Sequence, residues 1–366
     1  MNTFFLDRLN SEPHALAFAG QSTPWPVALA DQSANPALDE ALHTHAAAAQ
    51  ALLYPVSAEL LATTGRPVDL FGFEPNPARL GAAAAASASV PGIALTQLGA
   101  LLDAAALGYN PAQAKPVAVL GHSQGVLAVH MVQAICEAGS IDAAAAKIDE
   151  ILAIATLIGV AGTRQARQLG LAARHGEATP MLSVKDITRA QVDALIERVD
   201  GARGPIAVAV TNSATHYVLS GYPEDLAAFG VEVAKEHKRQ AKLREEKVRG
   251  GRVFDPTLEY LDVTLPFHSP LMADAVSQAV AWAEACGINA DHARELAAEV
   301  LLNHVDWAAR VRALMKSTDP SALWVLDFGP GNTVGKLFST VAQGTGVGVV
   351  EASTAVSYTH LTLPTT

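Results

Sequence analysis

The stretch Val117-Ala118-Val119-Leu120-Gly121-His122-Ser123-Gln124-Gly125 decides the fold, because it sets one serine between two glycines after an apolar run. The run is typical of a buried strand, and apolar residues then recur every four positions up to the helix stop at Gly139, namely Leu127, Met131 and Ile135. A serine on so tight a strand-to-helix turn projects its hydroxyl clear of the backbone. The pattern predicts a nucleophile elbow with Ser123 as nucleophile, and a glycine-rich structural turn is the alternative.

The amide of Gln124 belongs to the first turn of this predicted helix. Unpaired N–H donors and the positive end of the helix dipole lie there, so this amide is placed to stabilise an oxyanion formed beside Ser123. The local sequence therefore predicts an oxyanion-stabilising amide beside the nucleophile.

Composition excludes several classes of protein. The chain has 366 residues, is 50% hydrophobic and only 17% charged, which suits a helical soluble enzyme and not a disordered chain. It has no unbroken apolar run of about 20 residues and no basic secretory start, so we expect a cytoplasmic protein with no membrane partner. The net charge of -11 argues against nucleic acid, and the two cysteines have no metal spacing.

One basic segment departs from this acidic background. Between Lys235 and Arg252, lysines and arginines outnumber the acidic residues. The segment is either a solvated helix followed by a glycine loop or a docking surface for an anionic partner or a neighbouring domain.

The middle of the chain alternates strand-like and helical runs in the order strand, helix, strand, strand, helix. The strands are predicted at 181–184, 206–210 and 217–221, the helices at 190–199 and 223–236, and a last strand at 261–265. This order is typical of a ferredoxin-like unit. We therefore predict an α/β fold, with a ferredoxin-like subdomain at 178–264 inserted into a hydrolase-like parallel-sheet body at 1–177 and 265–356.

A second catalytic candidate follows the predicted insertion, in Leu265-Pro266-Phe267-His268-Ser269-Pro270. Neutral imidazole can take the proton of Ser123 during attack and return it to the leaving group. Taken alone, a histidine such as His268 is more often an ordinary polar loop residue than a catalytic base. Other histidines compete for the role, namely His14, His43, His45, His122, His130 and His216.

Four segments taken in order resemble one family. They are Phe18-Ala19-Gly20-Gln21, Gly121 to Gly125, Pro266 to Pro270, and Asp327-Phe328-Gly329-Pro330-Gly331. As a set they resemble the acyltransferase domains of fatty-acid and polyketide synthases. Lys247-Val248-Arg249-Gly250-Gly251 and Val305-Asp306-Trp307 add a similarity to the N-terminal acetyl transferase domain of bacterial type I fatty acid synthases.

The resemblance implies a serine–histidine dyad of Ser123 and His268. In the family a main-chain carbonyl orients the histidine, and that role carries over to the backbone of Asp306. The oxyanion hole carries over to the amides of Gln21 and Gln124. Ser22 stands where many members have a second glycine, which is a departure from the family pattern.

The resemblance also bears on the substrate. Members that transfer malonyl groups use an arginine on the helix after the nucleophile, and Ile158 falls at its place here, so an uncharged acyl group is expected. A shift in the alignment to Arg164 or Arg167 would restore a malonyl preference. Asn212, with His216, is expected to line the substrate channel or to fix a strand-end turn, and Gln97 to lie near the active site with a supporting hydrogen bond.

The sequence thus predicts transfer of an acetyl group from CoA to the phosphopantetheine thiol of acyl carrier protein, within a larger synthase and with no bound cofactor or metal. The alternatives are a malonyl- or palmitoyl-type transferase, a serine thioesterase or esterase, or a non-catalytic docking domain. An esterase would need an acidic residue to orient its histidine, and candidates lie at Asp186, Asp193, Asp200, Asp225 and Asp262. Residues 357–366 do not continue the family pattern and are expected to be a non-native or disordered tail.

Overall fold

A computed structural model describes residues 12–70, 85–171, 178–245 and 254–352. The predicted tail at 357–366 and Lys247, Arg249 and Arg252 of the basic segment lie outside these ranges. The strands are β1 His14–Phe18, β2 Ala118–Gly121, β3 Met181–Lys185, β4 Ala207–Ser213, β5 His216–Ser220, β6 Thr257–Tyr260, β7 Val305–Asp306, β8 Trp324–Asp327 and β9 Gly348–Glu351.

The α-helices are α1 Trp25–Ser33, α2 Pro36–Leu52, α3 Ser57–Thr64, α4 Ala86–Ala106, α5 Pro111–Ala114, α6 Val126–Ala138, α7 Ile141–Gln168, α8 Arg189–Ile196, α9 Pro223–Glu245, α10 Ala273–Ala285, α11 Ala290–Leu301, α12 Trp307–Ser317 and α13 Thr333–Val341. Short 3₁₀ turns lie at Tyr54–Val56, Ser123–Gly125, Pro270–Met272 and Pro320–Ala322.

A four-stranded parallel sheet carries the nucleophile strand at one edge. Its order is β2-β1-β8-β9, and every neighbouring pair is parallel. The residues of β1 are all buried, as expected for a parallel strand covered on both faces. The helices around this sheet form the large core, so the predicted parallel-sheet body is confirmed.

The second sheet has the order β6-β3-β5-β4-β7. Its first four strands are antiparallel neighbours, and with α8 and α9 as crossovers they have the ferredoxin-like topology that the sequence predicted. They enclose a hydrophobic cluster separate from the large core, built around Leu219 and Phe229. The limits of 178–264 for this subdomain, and of 1–177 with 265–356 for the body, stay predictions.

Two strands of this sheet differ from expectation. The strand predicted at 261–265 lies instead at β6, whose largely exposed Thr-Leu-Glu-Tyr residues lack the apolar alternation of a half-buried strand. The alternating apolar residues Val263 and Leu265 led to the wrong strand prediction, because both are buried although they lie outside any strand. The fifth strand, β7, was not predicted, and it pairs with β4 in parallel with Val210 opposite Val305.

Close helix packing supports the body. An added Cβ at Gly159 of α7 would lie 2.3 Å from the carbonyl oxygen of Ala86 in α4, so the two helices touch through backbone there. Among the described residues, α4 alone is long and apolar enough to cross a membrane, and 78% of its apolar window is buried inside the protein. That burial is typical of the core helix of a globular fold.

Candidate active site

Ser123 stands on a strained turn between β2 and α6. Its φ of 55° lies in the left-handed region that side chains rarely adopt. The flanking glycines make the turn possible, because an added Cβ would lie 2.4 Å from the Val126 nitrogen at Gly121 and 2.3 Å from the Phe18 oxygen at Gly125. The strand, the tight turn and the helix of the predicted elbow are therefore all present.

His268 completes a dyad with this serine. Its Nε2 lies 2.6 Å from the Oγ of Ser123, and its Nδ1 lies 2.8 Å from the main-chain oxygen of Asn303. A carbonyl only accepts, so Nδ1 carries the proton and Nε2 presents its lone pair to the serine hydroxyl. His268 is 2% exposed, and burial lowers its pKa to about 3, so the resting imidazole is neutral.

The orienting carbonyl belongs to Asn303, so the prediction for Asp306 is wrong. Asp306 is in register with Thr211 in the β4–β7 ladder, whereas Asn303 precedes β7 and its carbonyl is free to face His268. The carboxylate of Asp306 accepts a hydrogen bond of 2.8 Å from the Ala309 amide and caps α12. The position that a triad acid would occupy is filled by a peptide oxygen.

The acid candidates of an esterase have other partners where the structure gives them contacts. Asp193 binds Arg189 at 2.8 Å, and Asp225 accepts from the main-chain nitrogens of Arg203 and Gly204. Rival histidines also have other partners. For example, Nε2 of His14 contacts the Tyr109 hydroxyl at 2.8 Å.

The loop after β1 lies directly against the nucleophile. An added Cβ at Gly20 would be 2.8 Å from the Cβ of Ser123. The side-chain amide of Gln21 donates to Oε1 of the fully buried Gln124, so the two predicted oxyanion residues are joined. Ser22 has a φ of 62°, which favours the glycine that the resemblance leads one to expect there. The oxyanion role of the two main-chain amides stays a prediction.

Gln97 forms the supporting hydrogen bonds expected of it. Its Nε2 donates to the carbonyl oxygens of Ala19, at 2.8 Å, and Gly329, at 3.0 Å. These bonds tie together the chain leaving β1 and the chain leaving β8. Gln97 thereby fixes the loop that carries Gln21, and its contact with substrate stays a prediction.

The residues considered for acyl selection occupy different places. Ile158 is fully buried in α7. Arg164 is exposed, where it donates to Oε1 of Gln278 at 2.9 Å and lies over the Trp282 ring. Arg167 is also exposed and donates to the carbonyl oxygen of Thr63. The two arginines that offered a malonyl alternative therefore contact α10 and the end of α3.

Asn212 and His216 lie beside the elbow, with contacts that the sequence did not suggest. Oδ1 of Asn212 is 2.8 Å from Nε2 of His122, and Nδ2 is 3.5 Å from Nε2 of His216. Arg310 was also missed. Its Nη1 donates to the Gly121 oxygen at 2.9 Å, and no motif surrounds this arginine in the sequence. Among the described residues, no cluster of three or more histidine, cysteine or acidic side chains is placed to hold a metal.

Residues 180–260 match the family model described as the fatty acid synthase central AT domain. Among curated relatives, the chain is 27% identical over 310 residues to the fatty acid synthase beta subunit TOXC of Cochliobolus carbonum. It is 25% identical over 300 residues to the fatty acid synthase subunit beta of Saccharomyces cerevisiae. The chain is therefore similar to the acyltransferase region of fatty acid synthases.

Each of these two alignments covers 73% of this chain and 14% of the relative, so the chain spans about one seventh of their length. The special similarity to bacterial type I synthases stays a prediction, since these relatives are fungal.

Solved structures show the same fold. The MCAT of Mycobacterium tuberculosis superposes with a TM-score of 0.60 at 19% identity and covers 94% of this chain and 98% of its own. The malonyl CoA-acyl carrier protein transacylase of Coxiella burnetii gives 0.59 at 17% identity and covers 94% and 97%. At these identities the likeness carries the fold alone, and the predicted α/β acyltransferase fold is confirmed.

Proposed function

We propose that this domain transfers an acetyl group from CoA to the phosphopantetheine thiol of an acyl carrier protein, through an acyl-serine. The observation that carries the proposal is the 2.6 Å contact between Oγ of Ser123 and Nε2 of His268, with Nδ1 held by a peptide oxygen. The similarity to fatty acid synthase subunits supports this class of reaction, and the dyad supplies a mechanism for it.

The first half-reaction loads the enzyme. Oγ of Ser123 attacks the thioester carbon while its proton passes to Nε2 of His268. The negative charge that develops on the substrate oxygen is met by the amides of Gln21 and Gln124, and such donors are each worth about 10²- to 10³-fold in rate. The C–S bond then breaks, and the thiolate of CoA takes the proton from His268.

The second half-reaction reverses these steps with a different thiol. The carrier thiol gives its proton to His268 and attacks the acyl-serine, and the serine alkoxide recovers that proton as it leaves. Burial of the dyad, with Ser123 at 9% and His268 at 2% exposure, supports transfer over hydrolysis because it restricts the approach of water.

The preference for an uncharged acyl group rests on Ile158 and on the two arginines that follow it. A carboxylate needs a fork of N–H donors, and an isoleucine side chain offers none. Burying an unpaired carboxylate costs several kcal/mol, on the order of what separates a good substrate from a poor one. Arg164 and Arg167 contact Gln278 and Thr63 instead.

Brief exposure of the protein to acetyl-CoA, malonyl-CoA and longer acyl-CoAs, followed by intact-mass analysis, tests the nucleophile and the preference together. We expect one acetyl group on the wild type and none on Ser123→Ala. Dominant malonyl loading would overturn the acetyl preference. In a folded Ile158→Arg variant, with Ile158→Leu as control, a gain of malonyl loading is expected, and no gain would remove Ile158 from the site.

A second assay separates transfer from hydrolysis. Acetyl-CoA carrying a radiolabel is supplied with and without holo acyl carrier protein, and the label is followed in carrier and in free acetate. Carrier-bound label is the expected main product. Free acetate as the main product would make the protein a thioesterase, and absence of any label on a folded wild type would favour a non-catalytic docking role.

A further inference from the structure

We infer that Asn212 is a positioning residue, which fixes the nucleophile elbow to the same sheet edge that orients His268. This inference rests on the proposed acyl transfer and assigns Asn212 a role other than substrate contact. Asn212 lies in β4 and is 4% exposed.

The hydrogen bonds around Asn212 have one consistent direction. Burial lowers the pKa of His122, so its neutral ring carries one proton, which Nε2 donates to Oδ1 of Asn212 over 2.8 Å. Nδ2 of Asn212 then points to Nε2 of His216 at 3.5 Å, and Oγ of Ser183 lies 3.0 Å from the same nitrogen. Burial lowers the pKa of His216 to about 4, so its ring is neutral. Because Nδ2 of Asn212 can only donate, Nε2 of His216 is the acceptor of this contact.

Both polar atoms of the Asn212 amide thus have partners within the protein. A residue so engaged has little capacity left for a ligand, because its acceptor oxygen and one of its two amide protons are already used. Its amide joins the elbow residue His122 to His216 of the neighbouring strand β5.

The location of Asn212 explains why its hydrogen bond to His122 matters for the dyad. Asn212 follows Thr211, which is in register with Asp306 of β7, and Asn303 lies just before β7. The β4–β7 edge therefore carries the carbonyl that orients His268 and the amide that holds His122. Trp307, directly after β7, packs edge-on against the His122 ring, with centroids 5.4 Å apart.

Ser123 follows His122 and has a left-handed backbone, so the elbow needs anchors to keep its strained conformation. Removing the Asn212 amide leaves the buried N–H of His122 without its acceptor and frees the elbow to shift relative to His268. A misplacement of about 1 Å costs up to roughly 10²-fold in rate. The loss falls on the chemical step, because the amide does not contact substrate.

Single-turnover acetylation of Ser123, measured against acetyl-CoA concentration, tests the inference with Asn212→Ala. We expect the maximal rate to fall about tenfold or more, with the half-saturating concentration unchanged within about twofold. Asn35→Ala is the control, because it removes the side-chain cap of α2, a helix that carries no residue of the dyad or of the elbow. An unchanged maximal rate, or a raised half-saturating concentration alone, would overturn the inference.

Asn212→Asp gives a second test, which distinguishes a hydrogen-bonding role of this side chain from a role in packing alone. It keeps an acceptor for His122 and should restore much of the rate, and its carboxylate should raise the pKa of His122. The charged and titratable groups that act on that ring are Arg310 from α12, the neutral His216 and the neutral His268. We therefore expect a new inflection in the acetylation–pH profile, and a profile identical to wild type with no rescue of rate would count against positioning.

A fluorophosphonate probe separates failure of this inference from failure of the proposed function. The probe reports activation of Ser123 without any acyl-CoA. If the wild type reacts with the probe but is acylated by none of the acyl-CoAs, the acyl transfer proposal fails. The rates at which Asn212→Ala and wild type react with the probe then still decide the positioning role. Equal probe rates would refute it.

Discussion

Asp306→Ala should show whether Asp306 is a helix cap or a catalytic acid. Loss of a cap lowers the free energy of unfolding, whereas loss of a catalytic acid lowers the rate of acetylation. The carboxylate accepts from the Ala309 amide at 2.8 Å and does not contact the ring nitrogen of His268. Losing such a cap costs about 1 kcal/mol, and the charge at the helix N-terminus adds about 0.3–1 kcal/mol. We expect the free energy of unfolding to drop by about 1–2 kcal/mol.

Acetylation of Ser123 should then stay within about threefold of wild type, because the Asn303 carbonyl still orients His268. A triad acid at this position would instead cost about 10⁴-fold. Guanidinium unfolding and single-turnover acetylation by intact mass measure the two quantities in the same samples.

Asp306→Asn sharpens the test, because asparagine caps about as well as aspartate but cannot act as a charged triad member. Its acetylation rate should match wild type closely, and its free energy of unfolding should fall only by the charge contribution of about 0.3–1 kcal/mol. A loss of 10³-fold or more in acetylation for a folded Asp306→Asn would refute the assignment of the orienting group to Asn303.

Three further outcomes are expected. Gly125→Ala places a Cβ 2.3 Å from the Phe18 oxygen, so acetylation should fall at least about 10²-fold, and a rate near wild type would show that the elbow adapts. Gln97→Leu removes two buried hydrogen bonds and should lower the unfolding free energy by about 2–4 kcal/mol in chemical denaturation. Because burial lowers the pKa of His268 to about 3, acetylation by the free enzyme should not decline between pH 8 and pH 5, and an inflection near 6.5 would contradict that burial effect.

The same histidine sets the sign of a stability effect. The unfolded state binds a proton near pH 6.5 and the folded state only near pH 3, so His268 adds stability above pH 6.5 that is lost as the pH falls toward 3.

Local patterns in the sequence predicted the elements that hold the dyad. The elbow around Ser123, the strand before it and the helix after it follow from apolar spacing and glycine placement, and the order of the ferredoxin-like strands follows from their alternation. The edge strand β6 was misplaced because exposed strands lack an apolar signal. Short β7 was missed because two residues show no periodicity.

The contacts that depend on the tertiary path of the chain could not be predicted from the sequence. The carbonyl of Asn303 is one of many identical groups, and only the pairing of β7 with β4 determines which of them faces His268. The hydrogen bond between His122 and Asn212 likewise depends on how the two sheets pack against each other. No spacing of residues along the chain predicts that packing.

The acceptor on Nδ1 of His268 is a peptide oxygen, and this has a genetic consequence. Every amino acid carries that oxygen, so no missense change at position 303 can delete it. Natural variation can remove this acceptor only by rerouting the main chain, through an insertion, a deletion or a proline near this loop. Surveys of damaging variants should therefore find length changes before β7 more harmful than replacements of Asn303 itself.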